Sequence, residues 1–332
     1  MNIPVSPSPE ALLGASPDVE ALGLAETPFQ QVRRTFRKDR LAMAGLFVLI
    51  GLFVLALVGK LLTEWWVVFD PATVRLPDKL LPPWSAPSSH LAKELVPPFH
   101  LYLLGTDELG RNVIARMLQG AFVSLSVGLV AVSISMAIGI AIGGLAGFYG
   151  QRKLGFISID TLLMRFTDVV LCFPTFFLIL TVVALLPPSI YNIMIVIGIT
   201  SWMGTARFVR AEFLALREQD FVTAAKALGL PEWRIIFRHM VPNAMAPVLV
   251  SATIDVARAI LTESALSFLG FGVRPPYATW GNILADGRSY IFDAPWLFVI
   301  PGSAILVVVL AFNLVGEGLR DAMNPKLRKR AS

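Results

Sequence analysis

The sequence predicts an all-α polytopic membrane protein with six transmembrane helices, and three observations carry that prediction. The 332 residues are 55% hydrophobic and only 15% charged, with a mean hydropathy of +0.69; that is far more apolar character than a soluble core needs. Charge-free runs recur at about 20 residues or longer, enough for a helix to cross the hydrocarbon core. The basic residues gather at the ends of those runs, with 19 Lys/Arg on one predicted side and 8 on the other. This is the asymmetry of the positive-inside rule, and it puts both termini in the cytoplasm. The net charge of +5 thus has a membrane explanation, and no nucleic-acid partner is expected.

Residues 1–28, rich in Pro, Ser and Ala, read as a disordered cytoplasmic tail. In residues 29–40, Phe29, Val32 and Phe36 recur at i, i+3 and i+7 beside Arg33, Arg34, Arg37 and Lys38. That pattern predicts a basic amphipathic interfacial helix lying on the cytoplasmic leaflet. The first span, 41–62, has no small-residue cleavage site after it and reads as a retained anchor. Residues 63–118 form an extracytoplasmic loop and elbow, irregular at first. Towards its end Gly105 and Gly110 mark turns, Thr106 or Asp107 can cap one, and Val113, Ile114, Met117 and Leu118 give a helical apolar face.

A five-helix core is expected over 119–316, followed by a cytoplasmic tail, 317–332. Its first helix, roughly 119–148, is rich in small residues. The charge-free run 169–206 is too long for one helix, and Pro187 and Pro188 divide it into the third and fourth spans. The fifth span is about 244–269 and the sixth lies within 294–316. Cys172, the single cysteine, can form no internal disulfide.

Between spans four and five, residues 207–243 hold two amphipathic stretches hinged at a glycine. Phe221, Ala224, Ala225 and Leu228 recur at i, i+3, i+4 and i+7, predicting a short helix over 220–228 with one small apolar face suited to close docking. Gly229 stands where a left-handed C′ residue is expected, and Leu230 and Pro231 restart the chain with Pro at the first helical position. The second helix carries Trp233, Ile236, Phe237 and Met240 on one side and is expected to stop before Pro242. Without further information this is a surface helix pair resting on the membrane.

The stretch resembles the EAA loop of membrane subunits of bacterial ABC importers, whose pattern is Glu-Ala-Ala, three residues, Gly, nine residues, Ile-x-Leu-Pro. Here Thr223-Ala224-Ala225, Gly229 and His239, Val241 and Pro242 take those places. Thr223 stands where the family has Glu, and Asp220 lies one turn earlier. The segments "LLGTDELGRNVIARMLQGAFVSLSVG", "DTLLMRFTDVVLCFP", "LTESALSFLGFGVRPPYATWGNILADGR" and "AFNLVGEGLRDAMNP" are similar to the second membrane subunit of the dipeptide/oligopeptide/nickel group, over roughly residues 30–326.

The resemblance implies a fold of the type I ABC importer kind, with the helix between spans four and five as a coupling helix. It also implies that Asp220, Thr223, Ala224, Ala225, Gly229, Leu230, Pro231 and Pro242 form the ATPase-coupling loop. The implied partners are a homologous second membrane subunit, two ABC ATPase subunits, an extracytoplasmic solute-binding protein and the lipid bilayer. No GxxxxGK[ST] motif occurs, so no ATPase site is expected here, and ATP and Mg would be bound by the partner ATPases.

Span five holds the strongest intramembrane polarity. Ser251, Asp255, Arg258 and Thr262 fall on one stripe, with Glu263 at its shoulder. At roughly 2.5–3.5 kcal/mol each near the bilayer centre, Asp255 and Arg258 will not face lipid. They either line the translocation path or form a structural pair holding the bundle. A proton-coupled secondary transporter that relays protons through Asp255, Arg258 and Glu263 is the competing class, although no inverted repeat is visible. A membrane scaffold would explain the amphipathic loop but leave the polar stripe without a use. His90, His100 and His239 are scattered on opposite predicted sides, so no metal site is expected.

Overall fold

The computed structural model describes residues 28–65, 69–88 and 97–323. Of the expected disordered tail, 1–28, all but Pro28 lies outside that range; of the expected cytoplasmic tail, 317–332, residues 324–332 do, while 317–323 continue the last helix. Helix α1, Pro28–Lys38, leads through Asp39 into α2, Arg40–Trp65. The Asp39 carboxylate accepts from the Leu41 and Ala42 amides at 2.9 and 3.1 Å and so caps α2. One stripe of α2, including Gly45, Leu49, Ala56 and Gly59, is buried against α3 and α11 (Val113–Tyr149 and Trp296–Met323). Its other faces expose Leu41, Phe47, Ile50, Val54 and Leu57, as a lipid-facing anchor should.

Helix α3 is the hub. It begins at Val113, where the Asn112 side chain caps it, and runs unbroken to Tyr149, so the elbow and the second span are one helix. It touches α2, α6 (Ile190–Thr200), α7 (Trp202–Arg217) and α9 (Glu232–Phe268). Contact with α7 is closest, because Gly139, Gly143 and Gly147 repeat every fourth residue and present bare backbone. A Cβ at Gly139 would lie 2.7 Å from Thr205 Cβ, and one at Gly143 2.9 Å from Val209 Cβ. A two-stranded hairpin, β1 Lys153–Leu154 with β2 Ile157–Ser158, follows α3 and is the one addition to the all-α expectation among the described residues.

The third and fourth spans are each broken. Helices α4 (Ile159–Leu171) and α5 (Thr175–Leu185) meet at 77°, and α6 and α7 meet at 41°. The third span therefore begins about ten residues before the charge-free run, in a segment carrying Asp160, Arg165 and Asp168. Those acids have partners: Asp160 is held bidentately by Arg210 and Asp168 by Arg207, which fastens α4 to α7. The break at Phe173-Pro174 follows from the restriction proline places on the residue before it. After helix α8, Asp220–Ala227, the fifth span departs from expectation in another way. Instead of stopping before Pro242, α9 runs continuously from Glu232 to Phe268. A π-helical turn over Ile235–Met240 precedes Pro242, which stands in the first turn of the regular helix after it. There the missing amide and ring bulk of proline are accommodated without ending the helix.

At the opposite end from α8, the long loop is ordered by buried polarity. The Asp107 carboxylate accepts from the Leu109 and Arg111 amides, from Arg111 Nε at 2.6 Å and from Arg116 Nη1 at 2.7 Å. Arg116 also reaches Asp286 on α10 (Trp280–Gly287) at 2.9 Å, tying the start of α3 to that short helix. Nearby, Tyr102 donates to buried Asp78 at 2.7 Å; burial foremost and that hydrogen bond push its phenol up to about 12, so it remains a donor at neutral pH. The sequence reading of an irregular loop missed this order. Removing one partner of a buried pair costs about 3–5 kcal/mol, so Asp107→Ala should lower the thermal midpoint of the detergent-solubilised protein by several degrees. Exposed Glu64→Ala should leave it unchanged.

Candidate coupling helix and polar groove

Two features are candidate functional sites, and α9 adjoins both. The first is α8. Its end is a Schellman motif: the Leu230 amide donates to Ala225 O at 3.2 Å and the Gly229 amide to Lys226 O at 3.0 Å. Gly229 sits at φ +71°, the left-handed conformation expected of it. Pro231 is the N-cap of the next helix rather than its first residue, and its carbonyl accepts from Arg234 and Ile235.

The apolar face, however, divides differently from the i, i+3, i+4, i+7 reading. Ala225, 5% exposed, and Val222 turn inward and pack with Phe148, Val209, Phe213, Ile235 and Met240. Phe221, Ala224 and Leu228 turn outward, with Leu228 81% exposed, and Trp233 and Phe237 on the following segment are exposed too. Ala225 is therefore part of the platform that holds α8, not of its free surface. Small size at 225 lets α8 approach α7 and α9 closely, whereas small size at 224 leaves the outer surface flat. Asp220 opens the helix, where its charge suits the N-terminal dipole. The Thr223 hydroxyl turns back to Gln219 O at 3.3 Å, and Pro242 lies within α9, away from this surface.

The second feature is a groove of about 650 Å³ at the level of both helix breaks. Thr175 comes from the α4–α5 break, Thr200, Ser201 and Thr205 from the α6–α7 break, and Ser135 from α3. Ser251, Asp255, Arg258 and Thr262 of α9 complete it, so four of the five stripe residues share one cavity. Arg258 Nη1 lies 3.3 Å from Asp255 Oδ1, and the side chains are 75% and 26% exposed. Among the described residues this pair lies within one helix and joins α9 to no other element.

Glu263 is elsewhere. It is fully buried behind the groove wall, accepting from Ser267 Oγ at 2.7 Å and Ser124 Oγ at 3.3 Å. Ser124 also accepts from the Trp280 amide, so this network joins α3, α9 and α10. The groove residues Thr175, Thr200, Ser201 and Thr205 were not singled out in the sequence. Their only local signals are Pro174 and the "TSWMG" that interrupts an apolar run. Among the described residues no group of His, Cys, Asp and Glu is placed to hold a metal ion.

Six spans, two of them broken around a polar groove, with a short docked helix between the fourth and fifth, define a membrane-embedded transport subunit. The chain belongs to the family of binding-protein-dependent transport system inner membrane components, matched over residues 139–329. Residues 27–83, which include α1 and α2, match the N-terminal transmembrane domain of oligopeptide transport permease C. It is 36% identical to the dipeptide transport system permease protein DppC of Alkalihalophilus pseudofirmus, over 94% of this chain and 95% of that one. The di/tripeptide transport system permease protein DppC of Pseudomonas aeruginosa is 40% identical over 92% and 94% of the two chains. The oligopeptide transport system permease protein OppC of Bacillus subtilis is 35% identical over 89% and 88%.

Proposed function

We propose that this chain is one of two membrane subunits of an ATP-driven importer of di- or oligopeptides in the bacterial inner membrane, with both termini cytoplasmic. The observation that carries the coupling is the position of α8 between α7 and α9. Both of those helices wall the groove, through Thr205 on one and Ser251, Asp255 and Arg258 on the other. A force on α8 is transmitted through Val222 and Ala225 into the ends of α7 and α9 and shifts the two walls together. The outward residues Phe221, Ala224 and Leu228 form the surface for an ATPase subunit. ATP and Mg belong to two such partners, and this chain contributes no ATPase site of its own. A related membrane subunit faces the groove, and a solute-binding protein delivers cargo at the opposite end. The names of the relatives support the peptide cargo.

The competing proton relay through Asp255, Arg258 and Glu263 has poor support, since Glu263 is buried away from the groove that the other two line. The complex reconstituted in vesicles, with labelled dipeptide, decides between the two. Uptake is expected to need ATP on the α8 side, to stop with orthovanadate and to survive a protonophore. Uptake that ignores orthovanadate and collapses with the protonophore overturns the proposal.

In the same assay Arg258→Gln should reduce uptake roughly tenfold, about the worth of one charge-assisted hydrogen bond. ATPase co-purification should be unchanged. A variant with undiminished uptake removes Arg258 from the path.

A further inference from the structure

We propose that the outer face of α1 is a binding site for the phosphate headgroups of anionic phospholipids. The helix is amphipathic, but its apolar side is already occupied. Phe36 is buried, and with Val32 it packs in a cluster that includes Leu319 and Ala322 of α11. Helix α1 is thus fixed to the protein as a platform, with its charged side left outward.

Its depth is set by its continuity with α2. A single residue separates the two helices, and the first turns of α2 expose Leu41 and Phe47 to lipid. The cations of α1 consequently stand where hydrocarbon gives way to headgroups.

Their electrostatics are unbalanced. Arg33, Arg37 and Lys38 make no ion pair among the described residues, although they stand within six positions of one another. The neighbouring acid, Asp39, directs its Oδ1 to the first amides of α2. Arg33 and Arg37 are like charges at i, i+4, which destabilise a helix unless an anion lies between them. Together with Gln30 these side chains line a shallow groove of about 440 Å³. Two guanidiniums one turn apart offer paired donors to the oxygens of a phosphodiester.

The intact transporter complex, exchanged into mixed phosphatidylcholine and phosphatidylglycerol and then re-purified, tests the site by its bound-lipid composition. The wild type should enrich phosphatidylglycerol. A basic residue near an anionic surface is worth roughly fivefold in binding, so the triple variant Arg33→Gln/Arg37→Gln/Lys38→Gln should lose about tenfold or more of that enrichment. The charge-preserving Arg33→Lys/Arg37→Lys should retain most of it. If the triple variant fails to assemble, Arg37→Gln alone should still show a loss of roughly fivefold. Unchanged enrichment in the assembled variant overturns the proposal. So does displacement of the lipid by excess inorganic phosphate, which would make this a free-phosphate site.

Discussion

Gly143→Leu should markedly lower both the abundance of the protein in the membrane and its thermal midpoint. The backbones of α3 and α7 approach so closely at this position that a Cβ would overlap the Ala206 carbonyl and lie 2.9 Å from Val209 Cβ. Neither neighbour is the flexible end of a side chain, so the helices must separate, and Gly139 and Gly147 lose their contacts as well. Overpacking penalties reach about 3 kcal/mol, and a shift of that size lowers the folded-to-unfolded ratio of a marginally stable protein roughly a hundredfold. Gly204→Leu is the matched comparison. A Cβ there meets nothing within 4 Å, and Gly204 lines the groove. It should leave abundance and thermal midpoint unchanged while lowering uptake by narrowing the path. Equal abundance of the two variants would show that the α3–α7 contact is not where the bundle closes.

How far such contacts could be foreseen depends on their reach along the chain. The apolar runs that became α2, α3 and α11 are local, and hydropathy located them to within a few residues at their better-defined ends. The left-handed turn at Gly229 is also local, since a glycine just past an amphipathic run has few other uses. The helix breaks were less legible. Asp160 and Asp168 made the start of α4 look extramembrane, and only the long-range partners Arg210 and Arg207 show why those charges are tolerated. Order in the loop rests on Arg116 meeting Asp286, 170 residues away, and no window of sequence contains that pair. Glu263 follows Thr262 in sequence but lies on a different side of the helix. A one-residue step rotates a side chain by about 100°, and nothing on α9 itself indicates that Ser124 and Trp280 wait behind it.

The same ambiguity governs α8, and it separates two substitutions that the sequence treats as equivalent. Ala224→Trp should leave the membrane chain folded, because residue 224 is exposed and its neighbours on the outer surface are unpacked within this chain. If that surface receives an ATPase subunit, a new indole there blocks close docking. Central interface positions are worth about 2 kcal/mol or more, so ATPase co-purification and dipeptide uptake should each fall by roughly thirtyfold or more. Ala225→Trp acts from the other side: it forces an indole between α8 and the cluster of Val209, Phe213 and Met240, at about 1–3 kcal/mol of local stability. Its thermal midpoint should drop, and its coupling should fail because α8 is displaced. Gly229→Val is a third, purely backbone case. The space around that residue is open, with nothing within 4 Å, so the only penalty is about 1–2 kcal/mol for a β-branched residue at positive φ, felt as a misdirected α8. Normal uptake by the Ala224→Trp protein at wild-type abundance would mean that the outer face of α8 touches no partner, and the transmission from ATPase to groove would have to run through another part of the chain.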